Sequence, residues 1–399
     1  MSQFGSKTVI LWVLLLAATA CSEPEDPERS SEFITRDSSG VQIAENELSP
    51  RPAQCSMSDA PDMSLGTQFG DPEFELHRVV GAVTLSDGLV AVANRGGFDV
   101  RVYGDDGDGD ARLVTAFGRE GSGPGEFRNM FGLLRRAGDT LVVLDSPPWR
   151  YQEFDRAGDL VRSVVPDPPY VNLPPGGGVG ILPDGSTIIG SRCCVVADPE
   201  FQQMHLFLSH HDRAGVLVDT VAVSPDGMWG PIGPPGQPPY YSYRGFEAFT
   251  SWDVKSDSVV MGVGSAPAFQ VLTKDGRQRR SIRWNDRPRE VTTAHVDEYR
   301  RRQVDREMED YALPPMRADL PFFDQLLVSQ DGRFWVRRYD WGEQPSRTWL
   351  AFDGSGEFWC RLSVPADLQV FEVGENHLLG REVDELGVEY VRRYLVSPP

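Results

Sequence analysis

Several short segments carry residue types used in metal binding or nucleophilic catalysis, and each fails on spacing. Asp106-Gly107-Asp108-Gly109-Asp110 starts like a calcium-binding loop. Such a loop needs Gly at position six and a bidentate Glu at position twelve, where this chain has Ala111 and Phe117. The segment reads as a solvated hairpin tip. His210-His211-Asp212 groups three ligand types, yet successive strand residues point to opposite faces and do not converge. His295 sits near Asp297 and Glu298 at spacings that do not share one helical face. Gly262-Val263-Gly264-Ser265 is punctuation at a strand end rather than a nucleophile elbow, and neither HExxH nor a P-loop occurs. What remains is arginine beside aromatic rings: Arg95, Trp149-Arg150, Arg192, Arg338-Tyr339-Asp340-Trp341 and Arg381. Gathered at one mouth, these would hold an anionic ligand by charge-assisted bonds and ring stacking. The competing reading pairs the arginines with local acids, among them Asp340, Glu382 and Asp384. No metal site and no cofactor is expected.

Those residues hang on a repeat. One tight turn recurs as Ser86-Asp87-Gly88, Ala137-Gly138-Asp139, Pro183-Asp184-Gly185, Ser256-Asp257-Ser258, Gln330-Asp331-Gly332 and Gly374-Glu375-Asn376. A short run rich in β-formers follows each. A second turn recurs at Tyr103 to Gly107, Phe154 to Gly158, His211 to Gly215, Leu272 to Gly276 and Phe352 to Gly356. Asp and Gly suit both because they tolerate positive φ. Strand-turn units at a regular period mark a repeat architecture. The counts predict an all-β fold: a six-bladed β-propeller of four-stranded antiparallel blades. The last blade lacks an outer strand, and Phe33 to Ala44 is expected to supply it and close the ring. One helix is expected, over Glu290 to Ala312 inside an insertion at about 286–315, with Val304, Met308 and Tyr311 as its apolar stripe.

Ala116 to Val165 holds the fullest copy of the unit, GREGSGPGEF followed by LVVLDSPPWRYQEFDRAG. It resembles NHL-type repeats and the six-bladed propeller lipoproteins built from them. The likeness implies a fold more than a function, because that scaffold hosts binding modules, lyases and lactonases. It also implies Asp or Asn at the end of each second strand, where Asn94 and Asp145 fit and Arg338 and Arg381 depart. Trp252-Asp253 does not recur at blade spacing and is no sign of WD40 repeats. The extra residues fall in blade-to-blade connections (Glu47 to Phe74, Gly118 to Phe127, Pro166 to Gly178, Pro225 to Tyr243, Trp284 to Pro321), which share one face. Long ordered loops usually carry function, so that face is the expected working surface.

The N-terminus gives an address. Lys7, the apolar run Val9 to Leu16 and small residues Ala17 to Ala20 form a signal peptide over residues 1–20, too short to span a bilayer. Ala18-Thr19-Ala20-Cys21 resembles the bacterial lipobox, which makes Cys21 a lipidation site; an ordinary secretory signal is the alternative. Residues 21–32 would be a flexible tether and 33–399 the propeller. Ser22 after the cysteine points to the outer membrane in a Gram-negative host, facing the periplasm or the cell surface. Export leaves Cys55, Cys193, Cys194 and Cys360 available for one or two disulfides, with the pairing open. A net charge of −20 argues against nucleic acid. Only three lysines occur, Lys7, Lys255 and Lys274, and arginine carries the rest of the positive charge.

Two functions follow. One is a lipid-anchored binding module outside the cytoplasm for a peptide, glycan or protein partner, touching the membrane through its anchor alone. The other is a metal-assisted hydrolase, lactonase or lyase with its site in a central channel.

Overall fold

The computed structural model describes residues 32–105, 111–147, 149–167, 178–193, 201–232, 240–304 and 313–399. Their regular structure is nearly all strand, with one α-helix and one 3-10 turn. Arg289–Glu290 pairs with Asp319–Leu320 as a separate two-stranded sheet. Six further sheets of four to six strands follow one another along the chain, antiparallel but for one added N-terminal strand. Their first strands are Val79–Thr84, Met130–Arg136, Val179–Ile181, Thr250–Lys255, Phe323–Val328 and Gln369–Val373. Each expected first turn lies between the first and second strand of its sheet. The first strand of every sheet contacts that of the next, and the first strand of sheet six contacts that of sheet one. The arrangement is propeller-like.

Apolar side chains on the sheet faces pack between neighbouring sheets. Leu133, Leu141 and Val143 meet Val83, Ala91 and Val102 between sheets one and two. Phe323, Phe334 and Phe352 meet Phe269 and Ile282 between sheets four and five. Two faces per sheet must be covered, so second strands such as Val90–Asn94 and Thr140–Asp145 are apolar nearly throughout. Glycine sets how close the sheets come. A Cβ on Gly190 would lie 2.7 Å from the Trp252 ring. That ring can therefore approach sheet three so closely only because position 190 has no side chain.

Phe33 to Ala44 does form strands, but it does not close sheet six. Glu32–Ser38 and Val41–Glu47 form a hairpin on the outer edge of sheet four, with Val41–Glu47 parallel to Gln278–Trp284. Asn46 fixes that position. Its amide donates to the Arg283 and Gly356 carbonyls at 3.1 and 2.9 Å, and its carbonyl accepts from Phe358 N–H at 2.7 Å. Ala44 is fully buried in the core between sheets four and five. The outer strand of sheet six comes instead from Met63–Leu65, which pairs with Val391 to Arg393. Ser56–Met57 pairs further along the same strand. A disulfide explains the choice. Cys55 is bonded to Cys360 on the outer strand of sheet five, across a separation of 305 residues, so the chain leaving Cys55 meets sheet six next. Cys193 ends the second strand of sheet three; Cys21 and Cys194 lie outside the described residues.

Two connections also differ from expectation. Pro225 to Ile232 continues the outer strand of sheet three, Leu217–Ile232, and Tyr240–Tyr243 folds back on it. The helix is Thr293–Val304. Thr292 caps it reciprocally with His295, accepting on Oγ1 from His295 N–H while the imidazole Nδ1 accepts from Thr292 N–H at 3.0 Å. Met308 and Tyr311 of the expected stripe lie outside the described residues, and Val304 is described in its backbone alone.

Reduction of Cys55–Cys360, or Cys55→Ser, is expected to lower unfolding free energy by about 2–4 kcal/mol. Denaturant titration with and without reductant reads the loss, and hydrogen exchange will show Met63–Leu65 losing protection first.

Candidate functional site

The first strands have no sheet partner on their inner edge, so their backbone groups look to side chains on adjacent sheets. Ser251 Oγ accepts from Leu326 N–H at 2.8 Å, and Asp253 Oδ2 accepts from Val328 N–H at 2.7 Å. Glu372 accepts from Thr84 N–H at 3.1 Å and Asp139 from Ser86 N–H at 3.0 Å. These residues sit on or beside the strands around the inner space.

At the end where chains enter the sheets, a cavity of about 710 Å³ opens between sheets three, four and five. Tyr243, Phe249 and Trp252 form its aromatic wall, with Asp253, Asp324 and Arg192 as charged lining. Tyr243 stands edge-on to Phe249 with ring centroids 4.8 Å apart. The Arg192 guanidinium lies 5.6 Å over the Phe249 ring and hydrogen-bonds the fully buried Asp226. Asp226 in turn accepts from Thr250 N–H at 2.9 Å. Burial pushes the Tyr243 phenol up, so it stays a neutral donor. A cleft of about 350 Å³ shares Tyr243, Phe249 and Asp324 with this cavity and adds Phe246, Tyr299 of the helix, and Tyr339. Behind it Trp341 stacks on Tyr299 at 5.8 Å, meets Phe246 edge-on at 4.9 Å and carries Arg302 over its face.

Asp253 is the electrostatic oddity of this wall. It lies deep in the molecule but keeps part of its surface on the cavity. Burial pushes its carboxyl up to about 6, against the pull of the Val328 and Val254 N–H groups and the Lys255 charge.

The structure does not gather the arginine and aromatic residues into one ring. Arg192 and Tyr339 line the cavity and its cleft. Trp341 is part of the aromatic stack beside them. Arg150 is buried in an ion pair with Asp145 at 3.1 Å. It also donates to the carbonyls of Ser122, Gly123 and Glu126. Gln152 holds the same turn through Gly125 N–H and the Glu126 carbonyl. In the fullest repeat, Arg and Gln of WRYQEF therefore clasp the Gly-rich turn, and Trp149 packs in the core between sheets two and three. Arg338 pairs with Asp286 at 3.2 Å, Arg381 with Glu389 at 3.2 Å and Asp340 with Arg289 at 3.2 Å. Arg95 is half-buried in the turn after Val90–Asn94. Acid pairing thus accounts for most of these guanidinium groups, through Asp145, Asp226, Asp286 and Glu389 and not through the expected Asp340, Glu382 and Asp384.

Among the described residues no three His, Cys, Asp or Glu side chains converge as a metal site. Asp106 to Asp110 lies outside them. His211 is buried, with Nδ1 on the Gly215 carbonyl at 3.0 Å, and burial lowers its pKa. Sequence reasoning missed Phe249, Trp252, Asp253, Asp324 and Glu372. The available signal was strand alternation at Ser251, Asp253 and Lys255, which puts all three on one side of a first strand.

No protein-family profile and no curated protein sequence matches the chain. Solved structures of similar shape exist. A DUF4221 member from Bacteroides vulgatus is 11% identical, covering 87% of this chain and 99% of its own, with a TM-score of 0.48. Regucalcin from Agrobacterium tumefaciens, a calcium-binding protein, is 11% identical over 87% of this chain and 97% of its own, at 0.38. The WD40 propeller domain of Doa1 is 10% identical over 84% and 96%, at 0.39. At such distances no ligand or reaction transfers.

Arg150→Met is expected to destabilise the protein by about 3–5 kcal/mol, because it strands the buried Asp145 carboxylate; urea unfolding measures it. Asp253 carries a pH signature. A carboxyl raised from 3.8 to about 6 by folding favours the native state below its unfolded pKa and forfeits that advantage as pH rises through 6. Relative to the wild type, Asp253→Asn will therefore gain melting temperature between pH 4 and pH 7, and a flat difference would contradict the raised carboxyl.

Proposed function

We propose that this chain is a six-bladed, closed propeller exported from the cytoplasm and anchored by lipid at Cys21. In this reading residues 1–20 are removed, 21–32 form the tether and 33–399 the propeller. It acts as a recognition module for a peptide, glycan or protein partner through its connection-rich face. The supporting observation is the cavity between sheets three, four and five. It sets Tyr243, Phe249 and Trp252 beside Asp253, Asp324 and Arg192, which offers ring stacking together with donors and acceptors of both signs. Such a mixture suits a polar ligand with an apolar face, as sugars and peptide side chains have. The helix and the Trp341 stack extend the same wall outward, giving a larger partner a surface to follow.

A second reading, hydrolase, lactonase or lyase chemistry in the channel, draws on Asp253. A carboxyl near 6 at a cavity wall is suited to move protons at neutral pH.

The two part experimentally. Full-length protein in detergent is screened against arrayed peptides and oligosaccharides, and against lactone and peptide substrates for turnover. Recognition predicts saturable binding that Trp252→Ala weakens about tenfold or more and Arg95→Ala leaves intact. Turnover lost in Asp253→Asn would instead establish the enzyme. The anchor is tested separately: Cys21→Ser moves the protein from the membrane fraction to the soluble one.

A further inference from the structure

The side chains that close the free edge of sheet five stop one short. Along Thr250–Lys255, Ser251 binds Leu326 N–H and Asp253 binds Val328 N–H. Lys255 is next on the same side, where Phe323–Val328 has ended. Its ammonium is a donor only, so it has no use for the amide hydrogens its two predecessors satisfy. No hydrogen bond or ion pair joins its side chain to any described residue, although it is half-buried.

Lys255 lines a second cavity of about 420 Å³, to which all six first strands contribute. This space lies at the opposite end from the aromatic wall, beside the tight Ala137, Pro183, Ser256 and Gln330 turns. Its carboxylates are already engaged. Glu372 accepts from Thr84 N–H at 3.1 Å and faces His377 at 3.3 Å, and Asp253 holds two backbone N–H groups. Arg135 lines it too, pairing with Asp139 at 3.0 Å and donating to the Thr84 carbonyl. The acids are thus partnered by the protein, and the lysine is not.

We propose that this cavity binds a small oxyanion, a carboxylate or a phosphate, through the Lys255 ammonium, with Arg135 as the flanking cation. The two cavities share Val179, Asp253 and Leu327 as a common wall, but Lys255 lines only this one, and anion binding here does not depend on the function assigned to the other. Burial lowers the Lys255 pKa, while Asp253, Glu372 and Asp331 raise it and Arg135 lowers it. None of those carboxylates forms an ion pair with the ammonium, so an oxyanion bound directly to it is the nearer counter-charge and lifts its pKa further.

The chain's three lysines make the test direct. Full-length protein is reductively methylated with 13C-formaldehyde, and the Lys255 and Lys274 signals are followed through a pH titration. Lys274, ion-paired on the surface with Asp184 at 2.7 Å, serves as the internal control. At ionic strength fixed with chloride, succinate or inorganic phosphate will raise the apparent pKa of Lys255 saturably and leave Lys274 unchanged. Whichever acts at lower concentration identifies the ligand's head group. Lys255→Met will weaken that anion's binding at least about tenfold, while Lys255→Arg retains most of it. The proposal is overturned if neither anion shifts Lys255 more than chloride does, or if Lys255→Met binds it as well as the wild type. Should the methionine variant fail to fold, the wild-type methyl titration alone decides.

Discussion

An unpaired strand edge facing an enclosed space is the constraint that organises this molecule. Each first strand has one sheet neighbour, so its inner N–H and C=O groups lack a ladder. Buried backbone groups without partners are costly, and the chain answers with side chains borrowed from the next sheet: Ser251, Asp253, Asp139, Glu372, Arg135. Those bonds also set the stagger between sheets, because a side chain reaches only one backbone position. Sheet packing, the two cavities and the buried charge that lines them all follow from how these edges are satisfied.

The same logic explains the arginines. A guanidinium offers several N–H donors in a fixed plane, so one Arg150 clasps three carbonyls of an irregular turn and a buried carboxylate together. Lysine could not hold that geometry. Arg192 plays a related part at the cavity, joining Asp226 to the Phe249 ring. Positive charge here is mostly structural cement for turns and strand ends.

The sheets were legible in the sequence because each tight turn needs Asp or Gly, and those residues recur at intervals. The turns at Asp87-Gly88 and Asp184-Gly185 mark strand boundaries correctly. What pairs at long range was not legible. Phe33 to Ala44 has strand character that suits any open edge, and the choice of sheet four rests on Asn46 contacts more than 230 residues away. The cavity residues were hidden for another reason. Trp252, Asp253 and Lys255 sit in a run whose alternation is plain, yet nothing local says which side faces the interior space. Arg338 and Arg381 looked exceptional at the ends of second strands, but Arg338 is held by Asp286 from 52 residues away and Arg381 by Glu389 on the neighbouring strand.

The segment from Glu32 to Leu65 crosses the outer strands of sheets four, five and six in turn. A pull on Glu32 starts at the open end of its hairpin, where Glu32 pairs with Glu47, and unzips it one residue pair at a time. Peeling that continues along Val41–Glu47 then meets a covalent stop at Cys55–Cys360. Tension ends there, in the outer strand of sheet five, and does not pass on to Met63–Leu65. The hairpin is thus a sacrificial length of chain, and the disulfide is a mechanical fuse-block that keeps load on the N-terminus from opening sheet six.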